Sequence, residues 1–316
     1  MEILRMPLPG TLLVSHLAAY GLAFVLNDAG VDVWVGHDAD AADFPPQLMA
    51  DAAIENVVRL VRASADELED VVEADVKPVR TVNERRAVMW ARATNAELAA
   101  AAQPARERLR MQADLAQSRT AAGLLAGVGV PATWQHGGAK PHRGASRLDG
   151  VLGNHTSDFV RGVLRKARAG LDKVEDDELA RSWRSGVSPG VDADKTGWSP
   201  PGTMVDLAHQ WLAALGLALV PVGLQANAPA RTPATWRDGS TRGVTLPVFT
   251  TPVSVARLRA VLGLAALADW REASGERTAA RLRAVGVREL VVFAQVDGSA
   301  KSSVAFSFAR GRRVDL

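Results

Sequence analysis

The chain has 316 residues, 47% of them apolar and 23% charged, an ordinary globular composition that excludes a disordered, collagen-like or coiled-coil chain. It has no cysteine, which excludes a disulfide scaffold, a thiol nucleophile and an iron–sulfur cluster. The net charge of +2 conceals a gradient: residues 1–80 carry −9, 81–170 carry +8, 171–245 carry −2 and 246–316 carry +5.

In chain order, Glu2–Leu8 reads as a short strand and Thr11–Asp28 as an apolar helix stopped by Gly30. Val31–Gly36 alternates as a strand, and Pro45-Pro46 opens a helix running to about Arg62. Val76–Val82 fits another short strand. Residues 83–126 read as helical, divided by Pro104. Three glycines in Gly123–Gly129 fit a helix cap better than a phosphate loop.

Residues 129–158 are irregular, basic and glycine-rich, leading into a helix over His155–Ala169. Asp172–Glu178 is an acidic patch, and Gly186–Gly202 reads as a linker or long loop. Thr203–Leu215 is a helix, Ala218–Val222 a strand, 225–243 a loop and Val244–Phe249 a strand. Helices follow from Pro252 to about Ala268 and over Glu276–Ala284. Val287–Val296 and Ser302–Phe308 then form a hairpin turning at Asp297-Gly298-Ser299. The sum is a helix-rich α+β (mixed α/β) fold with mixed sheets and a C-terminal β-hairpin. Residues 1–185 and 203–316 are taken as two α/β regions joined by 186–202.

Met1–Pro9 lacks the pattern of a secretory signal. The most apolar runs, Leu12–Leu26 and Trp211–Leu224, fall short of the roughly 20 residues that span a bilayer. A cytoplasmic protein with no membrane partner is expected.

No nucleotide loop, dinucleotide fingerprint, zinc-protease helix or hydrolase elbow is present, so no catalytic residue, metal ligand or cofactor is assigned. His37-Asp38-Ala39-Asp40 brings imidazole and carboxylates together, but its spacing matches no ligand pattern and an acidic surface loop accounts for it better. His16 and His209 sit on apolar helices as core or boundary residues.

The strongest chemical signal is electrostatic. In His136–Arg147, glycines allow close approach of a phosphate, and Lys140, Arg143 and Arg147 can neutralise it. His142 lies in the same segment, and Asn154 and His155 can meet a base edge or sugar. Arg161, Arg165 and Arg168, at i, i+4 and i+7, make one basic stripe on a helix. A solvated loop beside a basic helix face is the alternative account of the same charges.

Three apolar blocks carry a family resemblance. Leu8-Pro9-Gly10 with Leu17–Ala23 resembles the opening helix of the large subunits of type I CRISPR effector complexes (Cascade). Trp211–Leu217 leading into Val220-Pro221-Val222, and Leu246–Ser254 followed by a Leu/Arg/Ala helix, are similar to two further blocks of those proteins. The resemblance implies a non-catalytic role in antiviral defence. Such a subunit contacts the 5′ region of the guide RNA, reads the short motif flanking double-stranded target DNA, joins other effector subunits and recruits a separate helicase–nuclease. Two other expectations stand beside it. An enzyme would assemble a site around His37, His136 or His142. An interaction scaffold would dock a basic partner on the acidic residues 38–75.

Overall fold

The computed structural model describes residues 1–69, 72, 118–127, 163–188, 190–194, 196–220, 223–225, 228–231, 234–238, 241–270, 276–297 and 306–316. The fold is mixed α+β, organised around two buried, mutually packed helices and two main antiparallel sheets.

Helix α1 (Leu13–Asp28) has no charged side chain before its last residue and is buried along almost its whole length. A helix that is apolar on every side belongs inside a core. The first sheet has the order β1–β3–β2–β10, with β1 at Glu2–Arg5, β2 at Val33–His37, β3 at Pro46–Ala50 and β10 at Val253–Ser254. Val35 pairs with Leu48 on one side and Val253 on the other, so residues on both flanks of 186–202 share one sheet.

The helix expected from Pro45-Pro46 is instead strand β3, followed by helix α2 (Ile54–Glu67). Pro46 is tolerated as the first residue of a strand, where its missing N–H costs no ladder bond. Beyond it, Leu48 and Ala50 point inward while Gln47 and Met49 are half-exposed, and partners on both sides secure the strand. Helix α2 then buries Ile54, Val57, Val58, Val61 and Ala65 along one face.

Helix α3 (Arg119–Gly127) precedes α4 (Arg165–Leu171) and α5 (Asp176–Ser185). The acidic patch is largely the first turn of α5, where Asp176, Asp177 and Glu178 complement the helix dipole; Gly186, at φ 71°, ends the helix. Within 187–205, the ribbon β4 (Asp192–Ala193)–β5 (Met204–Val205) frames a loop organised by the Asp194 carboxylate. That carboxylate accepts from the Thr196 amide and hydroxyl and from the Ser199 hydroxyl. The loop thereby seats Trp198 in the core, fully buried, with the Val14 amide donating to its carbonyl.

Helix α6 (Leu207–Gly216) is capped by Asp206, which accepts from the amides of Ala208 and His209. Ala218, Leu219 and Val220, expected to begin a strand, instead continue α6 as tight turns, each amide bonding the carbonyl three residues back. All three side chains are buried there. The expected loop 225–243 contains β6 (Gly223–Gln225, beginning just before it), β7 (Ala228–Arg231) and β8 (Thr235–Asp238).

The second sheet runs β8–β9–β11, with β9 at Thr241–Val248 and β11 at Glu289–Asp297. Both β12 (Phe306–Phe308) and β13 (Arg312–Asp315) pair with the far edge of β11. The β11–β12 pair is the expected C-terminal hairpin pairing; its connection, 298–305, lies outside the described residues. Helices α7 (Val255–Leu262), capped by Ser254, and α8 (Ala266–Asp269) pack on this sheet, and α9 (Glu276–Ala284) matches its expected span. The expected strand 76–82, most of the helical stretch 83–126 and the basic loop 129–158 lie outside the described residues.

Candidate functional site

Two histidines meet in the core beneath the first block of the resemblance. His16 lies one turn into α1 and His37 ends β2; both are almost fully buried. The Phe249 amide donates to His37 Nδ1 at 3.1 Å, so that nitrogen is the acceptor of a neutral ring. His16 Nε2 lies 2.7 Å from the Gly10 carbonyl oxygen, which can only accept. His37 Nε2 is 3.3 Å from His16 Nδ1. One proton arrangement satisfies all three contacts: Phe249 N–H to His37, His37 Nε2–H to His16, and His16 Nε2–H to Gly10.

Burial lowers the His16 pKa to about 4, against the opposing bond to the Gly10 carbonyl. Burial also holds His37 well below the usual imidazole range, helped by His16 and Arg313. The rings of Phe293 and Phe44 close around the pair, and Arg313 lies 5.3 Å above the Phe44 ring. A side chain at Gly10 would strike the Phe44 carbonyl oxygen at 2.3 Å, so the tight approach of this loop requires glycine. The chain joins the 9–10 loop, α1, β2 and the end of β9. Asp38 and Asp40 stay on the surface, where Asp38 accepts from the Asp40 amide, apart from the inward His37 ring. Among the described residues, no three His, Asp or Glu side chains gather as a metal site. None of the described contacts joins a carboxylate to His37; His136 and His142 lie outside the described residues.

A third buried histidine, His209, has Nδ1 3.4 Å from an Asp206 oxygen. Burial pushes the Asp206 carboxyl up, but the adjacent His209 ring and the bonds from the Ser188 hydroxyl and the Ala208 amide outweigh it and leave it below the usual range. This carboxylate caps α6 and ties the 187–206 loop to it.

Of the residues assigned from sequence to nucleic-acid contact, Lys140, His142, Arg143, Arg147, Asn154, His155 and Arg161 lie outside the described residues. Arg165 and Arg168 stand on α4, turned toward α2. Arg165 Nε donates to the Val72 carbonyl at 2.7 Å. Arg168 bridges Asp66, at 2.8 Å, and Asp172. Beside them, Arg62 donates to Asp176 at 2.9 Å and to the carbonyls of Leu171 and Val174. Arg184 meets Glu55 at 2.9 Å, and Arg119 meets Asp28 at 3.2 Å. Three acids of the N-terminal segment, Asp28, Glu55 and Asp66, thus meet basic partners within the chain. The sequence did not reveal Arg62 as the centre of this network, because its acceptors are mostly backbone carbonyls.

Among the described residues no helix is long and apolar enough to cross a membrane. No protein-family model matches the chain, and a search of the curated proteins finds no match.

Proposed function

We propose that the chain is a non-catalytic, nucleic-acid-binding subunit of a type I CRISPR effector complex. The observation that carries this reading is the convergence of the three resembling blocks. Leu17 and Gly21 of the first press against Leu212 and Gly216 of the second. Phe249 of the third exchanges bonds with His37, whose other partner is His16 of the first helix. Segments far apart in sequence thus act as one packing unit, as expected if the resemblance follows a shared fold rather than composition.

In this role the basic segment holding Lys140, His142, Arg143, Arg147, Asn154, His155 and Arg161 contacts the guide RNA and the duplex flanking the target. The core provides the platform, and the separate helicase–nuclease supplies the chemistry. The test is a tagged purification from the native host with co-purifying RNA sequenced and proteins identified. Short RNAs of uniform length sharing one 5′ tag, with several stoichiometric proteins, are the expected result. A protein recovered alone and free of RNA would overturn the proposal.

A further inference from the structure

We infer that Arg277, Arg281 and Arg288, flanked by Arg257, form a surface that binds the phosphate backbone of a nucleic acid. The partner's identity rests on the function proposed above; the surface is built from other residues than the basic segment already assigned.

Helix α9 buries Ala279 and Leu282 and turns Arg277 and Arg281 outward, one turn apart on its exposed side. Gly286, at φ 81°, ends the helical path, and Arg288 follows, exposed. Arg257, in the first turn of α7, donates from Nη2 to the Val285 carbonyl at 2.5 Å, which brings a fourth guanidinium to the same turn. The acids at the two ends of this segment are already engaged. Glu276 takes two bonds from Arg283, at 2.7 and 2.9 Å, and Glu289 is paired with Arg313. Asp315, opposite Glu289 in the strand register, adds its charge to Arg313. Among the described residues, Arg277, Arg281 and Arg288 are left with no ion pair or side-chain hydrogen bond. Residues 246–316 carry a net +5, so the partner this surface fits is a polyanion. Guanidinium forks match phosphate oxygens in charge and in geometry, and neighbouring arginines one helical turn apart suit a chain of repeating phosphates.

The test compares two triple variants of equal net charge: Arg277→Gln/Arg281→Gln/Arg288→Gln, and the control Arg5→Gln/Arg59→Gln/Arg181→Gln. Binding to a labelled DNA duplex, the matching RNA strand and polyglutamate is measured over a salt series, with circular dichroism confirming that each variant is folded. The expected result is at least a roughly tenfold loss of nucleic-acid affinity in the first variant only. Its salt slope should fall by about 2, as each lost phosphate contact removes roughly 0.7–0.9. Wild-type binding with both variants equal to each other overturns this inference and leaves the proposed function standing. Wild-type protein that binds neither nucleic acid overturns both. Tighter binding of polyglutamate than of either nucleic acid reassigns the surface to an acidic protein and also overturns the inference.

Discussion

Gly21 of α1 and Gly216 of α6 let two helices touch backbone to backbone. A methyl group on Gly21 would lie 1.8 Å from the Leu212 carbonyl oxygen, and one on Gly216 would lie 2.0 Å from that of Leu17. Alanine normally stabilises a helix relative to glycine by about 1 kcal/mol. Here the sign reverses, because the obstructing atoms are main chain and cannot rotate away. Gly21→Ala and Gly216→Ala should each destabilise by about 1–3 kcal/mol or more. Urea unfolding at constant slope reads the loss directly; an unchanged midpoint in either variant would contradict the close crossing.

The buried histidine chain makes stability depend on pH. Both imidazoles are depressed in the folded state, so the unfolded chain binds protons first as pH falls below about 6.5. Stability is therefore full at neutral pH and is lost on acidification toward the folded values, which for His16 means about 4. That shift corresponds to on the order of 3 kcal/mol for His16 alone. Thermal unfolding between pH 7 and 4 should show the fall. A His16→Leu/His37→Leu variant that still folds should show a flatter profile, whereas an identical slope would refute the assignment.

Arg62 closes the joint between α2 and the α4–α5 connection through one carboxylate and two carbonyls. Arg62→Ala should cost about 1.5–3 kcal/mol, the range for hydrogen bonds made by a charged donor. Arg168→Gln should lower the melting temperature through the same joint. Neutralising Lys140, Arg143 and Arg147 together should instead weaken nucleic-acid binding and leave the melting temperature close to wild type. Calorimetry and a binding titration on the same preparations separate the two effects.

Asp206→Ala removes the cap of α6, strands two amides in the core and takes the carboxylate from beside His209. A loss of about 1–2 kcal/mol is expected for the cap. Asp206→Asn keeps acceptor geometry without the charge and should recover part of it. If alanine and asparagine prove equally stable, capping is not what this carboxylate provides.

Local chemistry made some elements legible. Glu276 near the start, arginines near the end and Gly286 beyond marked α9, and the structure has it over those residues. Helix α1 announced itself by length and by lack of charge. Where local chemistry was neutral between two outcomes, tertiary pairing decided. Pro46 serves equally as the first residue of a helix or of a strand, and β1 and β2 on either side selected the strand. Helix α5 was legible in principle, from three acids before Leu179 and Trp183 and a glycine after Ser185. Of the buried site, the inward placement of His16 could be read from its apolar helix. Its partnership with His37 and Phe249 could not, because only the folded chain brings those three together.

The pairing of Val35 with Val253 has a consequence for how this protein is made. During translation, strand β2 emerges long before β10, and α1 long before the α6 backbone that fills its glycine notch. Until then the nascent chain carries an open sheet margin and an uncovered apolar helix, both templates for wrong association. Such long-range closure slows folding. The interval between synthesis of these two strands is when a holdase chaperone, or an early-arriving assembly partner, would matter most to yield.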